Sequence, residues 1–138
     1  MTIVYKTDLA NVNWNALKAS LKADNFDNGR TLEQYKRSAE NSYLNVFAYD
    51  GERIVGNMRV LSDAVCNAYI VDVWTLSEYR HRGIASEMMR LAMSKLNGQH
   101  VYLFTDDAMK FYETLGFKTQ DVGMGCVMGQ WLLTTPHA

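Results

Sequence analysis

The sequence predicts one α/β domain in which helices cover both faces of a mixed sheet. Segments with helical spacing of apolar residues alternate with short runs rich in β-formers. Their order is strand, two helices, three strands, helix, strand, helix and closing strands. The chain has 138 residues, about the length of a single domain, and its 48% apolar and 21% charged residues are typical of a globular core.

The first third of the chain predicts a strand and two helices. Residues 3–6 form a short β-rich run, and apolar residues then recur at helical spacing from about residue 13, at Trp14, Leu17 and Leu21. Residues 24–29 are rich in turn formers. Thr31 and Gln34 have the spacing of a capping box, so a second short helix is expected to follow them.

The middle third predicts a hairpin and a central strand. The β-rich runs 46–49 and 54–61 flank the turn dipeptide at 50–51, which is a hairpin pattern. A third run, 69–74, is too apolar to alternate cleanly, and such runs are typical of strands covered on both faces. Asp72 lies inside this run, where a carboxylate is costly unless it is paired or hydrated.

The last third predicts further alternation of helices and strands. Thr105 and Asp106 are suited to cap a helix, and Gly116 stands where a glycine commonly follows a helix end. In this part of the chain we expect a helix over 84–96, a strand over 101–104 and another helix over about 107–115. Closing strands are expected near Phe117 and over 126–133.

Charge and cysteine content exclude several classes of protein. Fourteen basic and fifteen acidic residues give a net charge of −1, so no global positive field would attract nucleic acid. Two cysteines, Cys66 and Cys126, cannot form the disulfide framework of a small secreted fold, which favours a reducing, cytoplasmic setting. No export signal or run of 18 apolar residues is present, so we expect no membrane insertion, and no metal-ligand spacing occurs.

Residues 73–85 predict an anion site, because a buried run turns through a basic, glycine-containing loop into a helix. The backbone N–H groups at a helix start lack intrahelical acceptors, and the helix dipole is positive there. Gly83 and Ala85 are small enough for close approach, while Arg80 and Arg82 add positive charge. Taken alone, the pattern fits a merely well-capped helix start equally well.

Two stretches in order carry a more specific pattern: Arg80-His81-Arg82-Gly83-Ile84-Ala85 and Ala108-Met109-Lys110-Phe111-Tyr112-Glu113-Thr114-Leu115-Gly116-Phe117. The first resembles the Gln/Arg-x-x-Gly-x-Gly/Ala cofactor loop of the GCN5-related N-acetyltransferases, the GNAT family. The second resembles that family's Ala-x-x-Phe-Tyr-x-x-x-Gly-Phe segment. Ala85 replaces the commoner glycine, which the family tolerates. The resemblance covers roughly residues 46–117.

The resemblance implies a mostly antiparallel central sheet and acetyl transfer from acetyl-coenzyme A to a primary amine of a small molecule or a protein. The pyrophosphate would sit on backbone N–H groups of the loop, and the pantetheine arm would run along a strand that splays from its neighbour. A backbone N–H there would stabilise the oxyanion, a role worth about 3 kcal/mol. The implied cofactor residues are Val73, Trp74, Thr75, Arg80, His81, Arg82, Gly83, Ile84, Ala85 and Phe111.

The resemblance also assigns Tyr112 as the general acid that protonates the departing thiolate. Helical spacing alone would make Tyr112 a packed aromatic residue beside the core stripe. Asp72 is a candidate general base, directly or through water, and otherwise a structural hydrogen-bonding centre. Asp63, Glu78 and Tyr69 are alternatives, and proximity could make a dedicated base unnecessary.

Residues expected to line the acceptor site do not specify the amine. We expect Phe26, Arg30, Asp63 and Tyr69 to contribute, and an acidic residue such as Asp63 or Asp72 would suit a cationic amine. The rival functions are a non-catalytic acyl-coenzyme A binding or sensing domain and an unrelated phosphate or nucleotide binder. Family members are often dimers, so a homodimer is compatible with the resemblance.

Overall fold

The computed structural model describes residues 2–132. The chain divides into two compact units, Met1–Phe104 and Thr105–Ala138. No helix in the described part is long and apolar enough to span a membrane.

The first unit is built around a five-stranded mixed sheet. Its strands lie in chain order, β1-β2-β3-β4-β5, with antiparallel pairs from β1 to β4 and a parallel β4–β5 pair. This architecture confirms the predicted fold class. The elements are β1 (Ile3–Lys6), α1 (Trp14–Ala23), α2 (Leu32–Glu40), β2 (Leu44–Asp50), β3 (Arg53–Ser62), β4 (Asn67–Thr75), a 3-10 turn (Ser77–Tyr79), α3 (Ile84–Met93) and β5 (His100–Tyr102).

Helix α1 covers one face of the sheet. Residues that pair across strands share a face, and Phe47, Asn57 and Trp74 pair in sequence across β2, β3 and β4. The Trp14 ring of α1 packs edge-on against Phe47, with centroids 6.4 Å apart. The Trp74 indole donates to Asp24, the residue that ends α1. The face that carries these three residues is therefore the α1 face.

Helix α3 covers the opposite face. Gly56 precedes Asn57 on β3 and so faces the other side, where it pairs with Thr75. A Cβ on Gly56 would lie 3.2 Å from the Met88 Cε and 3.3 Å from the Ile84 Cγ2, both of α3. Helix and sheet approach this closely because residue 56 has no side chain.

Helix starts in the first unit follow the sequence signals. Asn13 caps α1 by accepting from the Ala16 amide, and Thr31 and Gln34 form the complete capping box of α2. The hairpin of β2 and β3 is confirmed, with a bulge between Ala48 and Tyr49.

The end of α3 and the burial of β4 differ from what the sequence predicts. Helix α3 ends at Met93 rather than at residue 96, because the Leu96 amide donates to the Met93 carbonyl in an i−3 turn. Leu96 is nevertheless buried, so the apolar stripe is longer than the helix. Strand β4 is interior in the sheet but not covered on both faces at its start, because the paired Leu61 and Tyr69 are 37% and 38% exposed.

The second unit contains α4 (Met109–Thr114), shorter than the expected 107–115. The Thr105 hydroxyl accepts from the Ala108 amide just before the helix. The prediction of closing strands was wrong for the described residues. The Phe117 amide donates to the Tyr112 carbonyl in the turn that ends α4, and no strand occurs within 118–132. Side chains in this stretch, such as that of Met124, are exposed, and its backbone forms no ladder with a neighbouring strand. Residue 133 of the expected strand lies outside the described residues.

Candidate functional site

Strands β4 and β5 are paired over only three residues, and this leaves an open backbone edge. The ladder joins Asn67, Ala68 and Tyr69 to residues 100–102 and stops there. β4 continues for six more residues, to Thr75, with β3 on one side only. The unpaired edge of β4 therefore runs from residue 70 to residue 75.

Antiparallel alternation decides which groups face this open edge. The Leu76 amide donates to the Val55 carbonyl of β3 at 2.8 Å. Because alternate residues point their backbone groups to opposite sides, the N–H groups of Val73 and Thr75 face the open edge. The Thr75 carbonyl accepts from Arg80 Nε at 3.0 Å. The edge is thus a short strand template whose far end is closed by an arginine.

A β-bulge interrupts β4 at Asp72. Between the Asn57–Trp74 and Arg59–Val71 pairs, a single β3 residue faces both Asp72 and Val73. Asp72 has a φ of +58°, in the left-handed region. Bulges of this kind bend a strand and redirect a side chain. Asp72 is the residue that the bulge redirects.

The start of α3 presents backbone N–H groups that have no acceptor within the helix. Gly83 stands at the N-cap with a φ of +81°, and no side chain caps the helix. The first intrahelical bond runs from the Glu87 amide to the Gly83 carbonyl, so the amides of residues 84–86 have no acceptor in the helix. A Cβ on Gly83 would meet nothing within 4 Å. The helix start thus combines aligned N–H donors, a positive dipole end and open space.

Asp24 fixes this loop to the end of β4. Its Oδ2 accepts from Trp74 Nε1 at 2.9 Å, from the Ser77 amide at 3.2 Å and from Arg80 Nη2 at 3.1 Å. Burial would raise the pKa of Asp24, but the hydrogen bonds from Ser77 and Trp74 and the charge of Arg80 outweigh it and lower the pKa. The Arg80 side chain, expected on the cofactor, therefore holds the loop in place.

The other loop residues contact one another and the hairpin. The Tyr79 hydroxyl donates to Asp50 Oδ2 at 2.5 Å, and the Arg82 guanidinium stacks over the Tyr79 ring at 5.1 Å. His81 has a φ of +64°, which gives the loop a second left-handed residue. These contacts shape the approach to the helix start.

Asp72 is paired with two arginines. Its Oδ2 receives Arg59 Nε at 2.7 Å and Arg30 Nη2 at 2.9 Å. Arg30, an expected acceptor residue, is buried at 7% exposure and stacks on the Tyr35 ring. The structure thus brings together Arg30 and Asp72, and adds Arg59.

The remaining expected acceptor residues are spread over the first unit. Asp63 lies in the β3–β4 turn, where three backbone amides donate to its Oδ1 and hold its pKa below the usual value. This turn lies about 26 Å along β4 from the loop end of the strand. Tyr69 packs edge-on against Phe104 where the β4–β5 ladder ends. Phe26 follows α1 and is 41% exposed.

Tyr112 and Phe111 belong to the second unit. Tyr112 is 9% exposed and packs edge-on against Phe111 and Phe117, with centroids 5.0 and 6.0 Å away. Burial and the negative charge of Asp107 raise the pKa of the Tyr112 phenol. The hydroxyl therefore carries its proton at neutral pH, as a proton donor must.

Sequence reasoning missed two features of this region. Asp24 was assigned only to a turn-rich segment, and nothing local signals a partner 50 residues away. Asn57 Oδ1 on β3 and Thr75 Oγ1 on β4 are buried without a hydrogen-bond partner among residues 2–132. Neither side chain carries a charge, so, unlike that of Asp72, neither signals in the sequence that its burial is costly.

Comparison with family models decides the classification. The model of the acetyltransferase (GNAT) domain matches residues 42–119, more than half of the chain. The chain belongs to the GNAT family. The matched GNAT segment includes β2 to α4, and hence the open edge, the α3 loop and Tyr112.

Solved structures support the GNAT fold. A candidate GNAT acetyltransferase from Xanthomonas campestris has a TM-score of 0.81 at 24% identity, covering 93% of this chain and 94% of its own. A candidate acetyltransferase from Deinococcus radiodurans has 0.79 at 27% identity, covering 90% and 87%. One from meticillin-resistant Staphylococcus aureus has 0.79 at 23%, covering 94% and 100%. No curated protein matches the sequence.

Membership of the GNAT family makes the chain an N-acetyltransferase, and acetyl-coenzyme A is the donor that the family implies. The residues present fit that donor in two respects. The N-terminal amides of α3 suit a pyrophosphate, and the open β4 edge suits an extended amide-bearing arm. Both features belong to the first unit.

Proposed function

We propose that this GNAT domain transfers the acetyl group of acetyl-coenzyme A to a primary amine by direct attack in a ternary complex. The observation that carries the proposal is continuity: one short loop leads from the open edge of β4 to the amides of α3, and Arg80 of that loop donates to the last carbonyl of the edge. A donor with an anionic end and an extended arm would occupy both in one direction.

The donor would bind from the loop toward the bulge. The pyrophosphate would accept from the amides around Gly83 and Ala85, where dipole and N–H groups favour an anion. The pantetheine amides would pair with Val73 and Thr75 as an added strand. This direction would bring the thioester toward residues 72–73, where a backbone N–H of β4 would stabilise the oxyanion.

The chemistry balances with one proton donor. The amine nitrogen attacks the thioester carbonyl carbon, a C–N bond forms and the C–S bond breaks. The sulfur leaves as a thiolate and takes a proton from the Tyr112 hydroxyl, the acid that the family motif assigns. The nitrogen, cationic after attack, releases a proton to solvent, and the Tyr112 phenolate regains one from solvent. A raised pKa keeps Tyr112 protonated before the step.

We assign Asp72 a positioning role rather than that of the general base. Its Oδ2 is paired with two guanidinium groups, and a proton taken up by the carboxylate would cancel the negative charge on which both ion pairs depend. An amine with a pKa of about 10.4 costs about 4.6 kcal/mol to deprotonate near neutral pH, and alignment in a ternary complex can supply about 7 to 11 kcal/mol. A dedicated base is therefore not required.

A covalent cysteine relay is not part of the proposal. Cys66 lies just before β4, at the opposite end of that strand from the α3 loop, and is exposed. Direct transfer needs neither Cys66 nor Cys126, so replacing both with serine should leave turnover unchanged.

The donor site is tested by a pair of matched variants at Ser86, in the first turn of α3. Ser86→Asp adds a negative charge that favours the helix start but repels a bound pyrophosphate, whereas Ser86→Asn is nearly isosteric with it and neutral. Calorimetry should show acetyl-coenzyme A binding weakened by about tenfold or more in the Asp variant, with little change in the Asn variant and no loss of thermal stability. Equal affinity in both variants would refute this donor site.

Two further measurements separate the rival functions. ATP that binds as well as acetyl-coenzyme A would favour a general nucleotide site. Tyr112→Phe should reduce turnover of an amine panel by about 10²- to 10⁴-fold while leaving acetyl-coenzyme A affinity unchanged. Binding by the wild-type protein without turnover of any amine would favour the non-catalytic acyl-coenzyme A domain.

A further inference from the structure

We propose that the amine substrate carries an anionic group, a carboxylate or a phosphate, and that Arg59 binds this group. The proposal rests on the proposed function for the position of the acetyl group. It adds the chemical class of the acceptor and the residue that selects it.

The charges around Asp72 do not balance. Arg30 and Arg59 both pair with the single Oδ2 of Asp72, which leaves one excess positive charge. The neighbouring Lys18 and Asp27 neutralise each other at 2.8 Å. The side chains of the Asp72 cluster are only 9% to 22% exposed, so water screens the excess charge incompletely. An anion beside the arginines would restore neutrality.

All three nitrogens of the Arg30 guanidinium contact the protein. Its Nε donates to Asn28 Oδ1 at 3.0 Å, its Nη1 donates to Ser38 Oγ at 3.1 Å, and its Nη2 forms an ion pair with Asp72 Oδ2 at 2.9 Å. Its guanidinium plane lies over the Tyr35 ring, 4.1 Å from the centroid. Arg30 is therefore a fixed part of the scaffold.

Arg59 is less fully engaged by the protein than Arg30. Its Nε donates to Asp72 at 2.7 Å, and its Nη1 has only a long contact of 3.5 Å to Ser42 Oγ. Its Nη2 has no hydrogen-bond partner within the described stretch 2–132. A guanidinium edge with two available nitrogens matches the paired oxygens of a carboxylate or phosphate. Asp72 fixes the other edge and so orients the free one.

The position of Arg59 fits an acceptor group. Arg59 pairs with Val71 across β3 and β4, next to the bulge and to the start of the open edge. Thr75, at the loop end of that edge, is about 10 Å along the strand from Asp72. A donor arm laid along the edge from the α3 loop would bring its acetyl group toward Arg59, on the acceptor side.

This reading reverses the expectation that Asp72 would attract a cationic amine. Two arginines outweigh its charge, so the local field favours an anion. The reactive amine would then be oriented by its own anionic group rather than by a carboxylate of the protein.

Arginine side-chain NMR tests the binding step without catalysis. The protein, saturated with coenzyme A, is titrated with sodium acetate or sodium phosphate against sodium chloride at equal ionic strength, and the Nε–Hε signals are followed. The signal that Arg59→Gln removes should shift with acetate or phosphate, and that variant should show no remaining anion-dependent shift. An unresponsive Arg59 signal up to tens of millimolar anion would overturn the proposal.

Matched amines test selectivity in turnover. β-Alanine and O-phosphoethanolamine carry a carboxylate and a phosphate, and β-alaninamide and ethanolamine are their counterparts without an anionic group. The member of each pair that carries the anionic group should have a kcat/KM about tenfold or more higher. Which pair shows the larger ratio distinguishes carboxylate from phosphate. Amines without an anionic group that react as well as their partners would overturn the proposal.

Variants assign this preference to Arg59. Arg59→Gln should abolish it and Arg59→Lys should retain part of it, while Arg90→Gln on the exposed surface of α3 should leave it unchanged. Arg59→Gln should fold because Arg30 still pairs with Asp72. Acetyl-coenzyme A binding without an Arg59 response refutes this inference alone, whereas absence of acetyl-coenzyme A binding refutes the proposed function.

Discussion

Removing the Asp24 carboxylate should both destabilise the fold and weaken donor binding, because this one group ties α1, β4 and the α3 loop together. Its Oδ2 accepts from the Trp74 indole, the Ser77 amide and the Arg80 guanidinium. The three donors come from the end of β4 and the start of the loop. Asp24→Ala leaves all three without this acceptor.

The cost of Asp24→Ala follows from the burial of each donor. Trp74 is 2% exposed, so leaving its N–H unpaired costs about 1–3 kcal/mol. The exposed Ser77 amide contributes about 1 kcal/mol. The Arg80 side chain is 50% exposed, so its ion pair contributes only about 0–1 kcal/mol. The expected loss of unfolding free energy is about 3 kcal/mol.

Urea unfolding at pH 7 and calorimetry with acetyl-coenzyme A measure the two effects. We expect the stability loss together with a donor affinity reduced by about tenfold, since the loop loses its anchor. Asp8→Ala is the control, because Asp8 is exposed and caps only the Ala10 amide. A stability change below about 1 kcal/mol, or an unchanged donor affinity, would refute the anchor role.

The effect of Asp24 on stability should depend on pH in a defined direction. Its folded-state pKa lies below the ordinary value of 3.8, so its ionised form stabilises the fold at pH values above that figure. The stabilisation is lost as the pH falls through the lowered pKa. The stability difference between wild type and Asp24→Asn should be constant near neutrality and shrink below about pH 4.

Two further substitutions test the packing of the first unit. Gly56→Ala should lower the free energy of unfolding in urea by about 1–3 kcal/mol and weaken donor binding. The new methyl group would lie 3.2 Å from both the Met88 Cε and the Trp74 carbonyl oxygen and would push α3 away from the sheet. Unchanged stability would contradict that contact. Burial and the hydrogen bond to Asp27 raise the pKa of Tyr35 to about 12, so this tyrosine stabilises the fold below pH 10 and loses that contribution toward pH 12. The melting temperature should therefore fall more steeply above pH 10 in wild type than in Tyr35→Phe, and parallel curves would contradict it.

Much of the fold could be predicted because its signals are local. The capping box at Thr31 and the hairpin turn each act within a few residues, and both formed as expected. The end of α3 could not be predicted, because apolar spacing reports burial, and buried Leu96 lies in a turn beyond the helix. The run 126–133 predicted a closing strand, but a strand also requires a partner, and side chains in this run such as Met128 are exposed.

In the candidate site, too, local features could be predicted from the sequence and contacts between distant residues could not. The anion-binding character of the α3 loop was predictable, since Gly83 and the helix start lie within one short segment. The partners of Arg80 and Asp72 were not, because Asp24 and Arg30 reach them from far along the chain. A carboxylate inside an apolar strand indicates that a partner must exist, but it does not identify that partner.

The bulge at Asp72 links the donor edge to the proposed anion site. A φ of +58° is costly for a β-branched residue, so neither Val71 nor Val73 suits the bulged position, whereas aspartate tolerates it. The extra residue turns the carboxylate toward Arg59 and lets β4 resume its pairing at Trp74. This one bulge therefore orients Arg59 on one side of β4 and leaves the backbone edge from residue 73 to residue 75 open for the donor arm on the other.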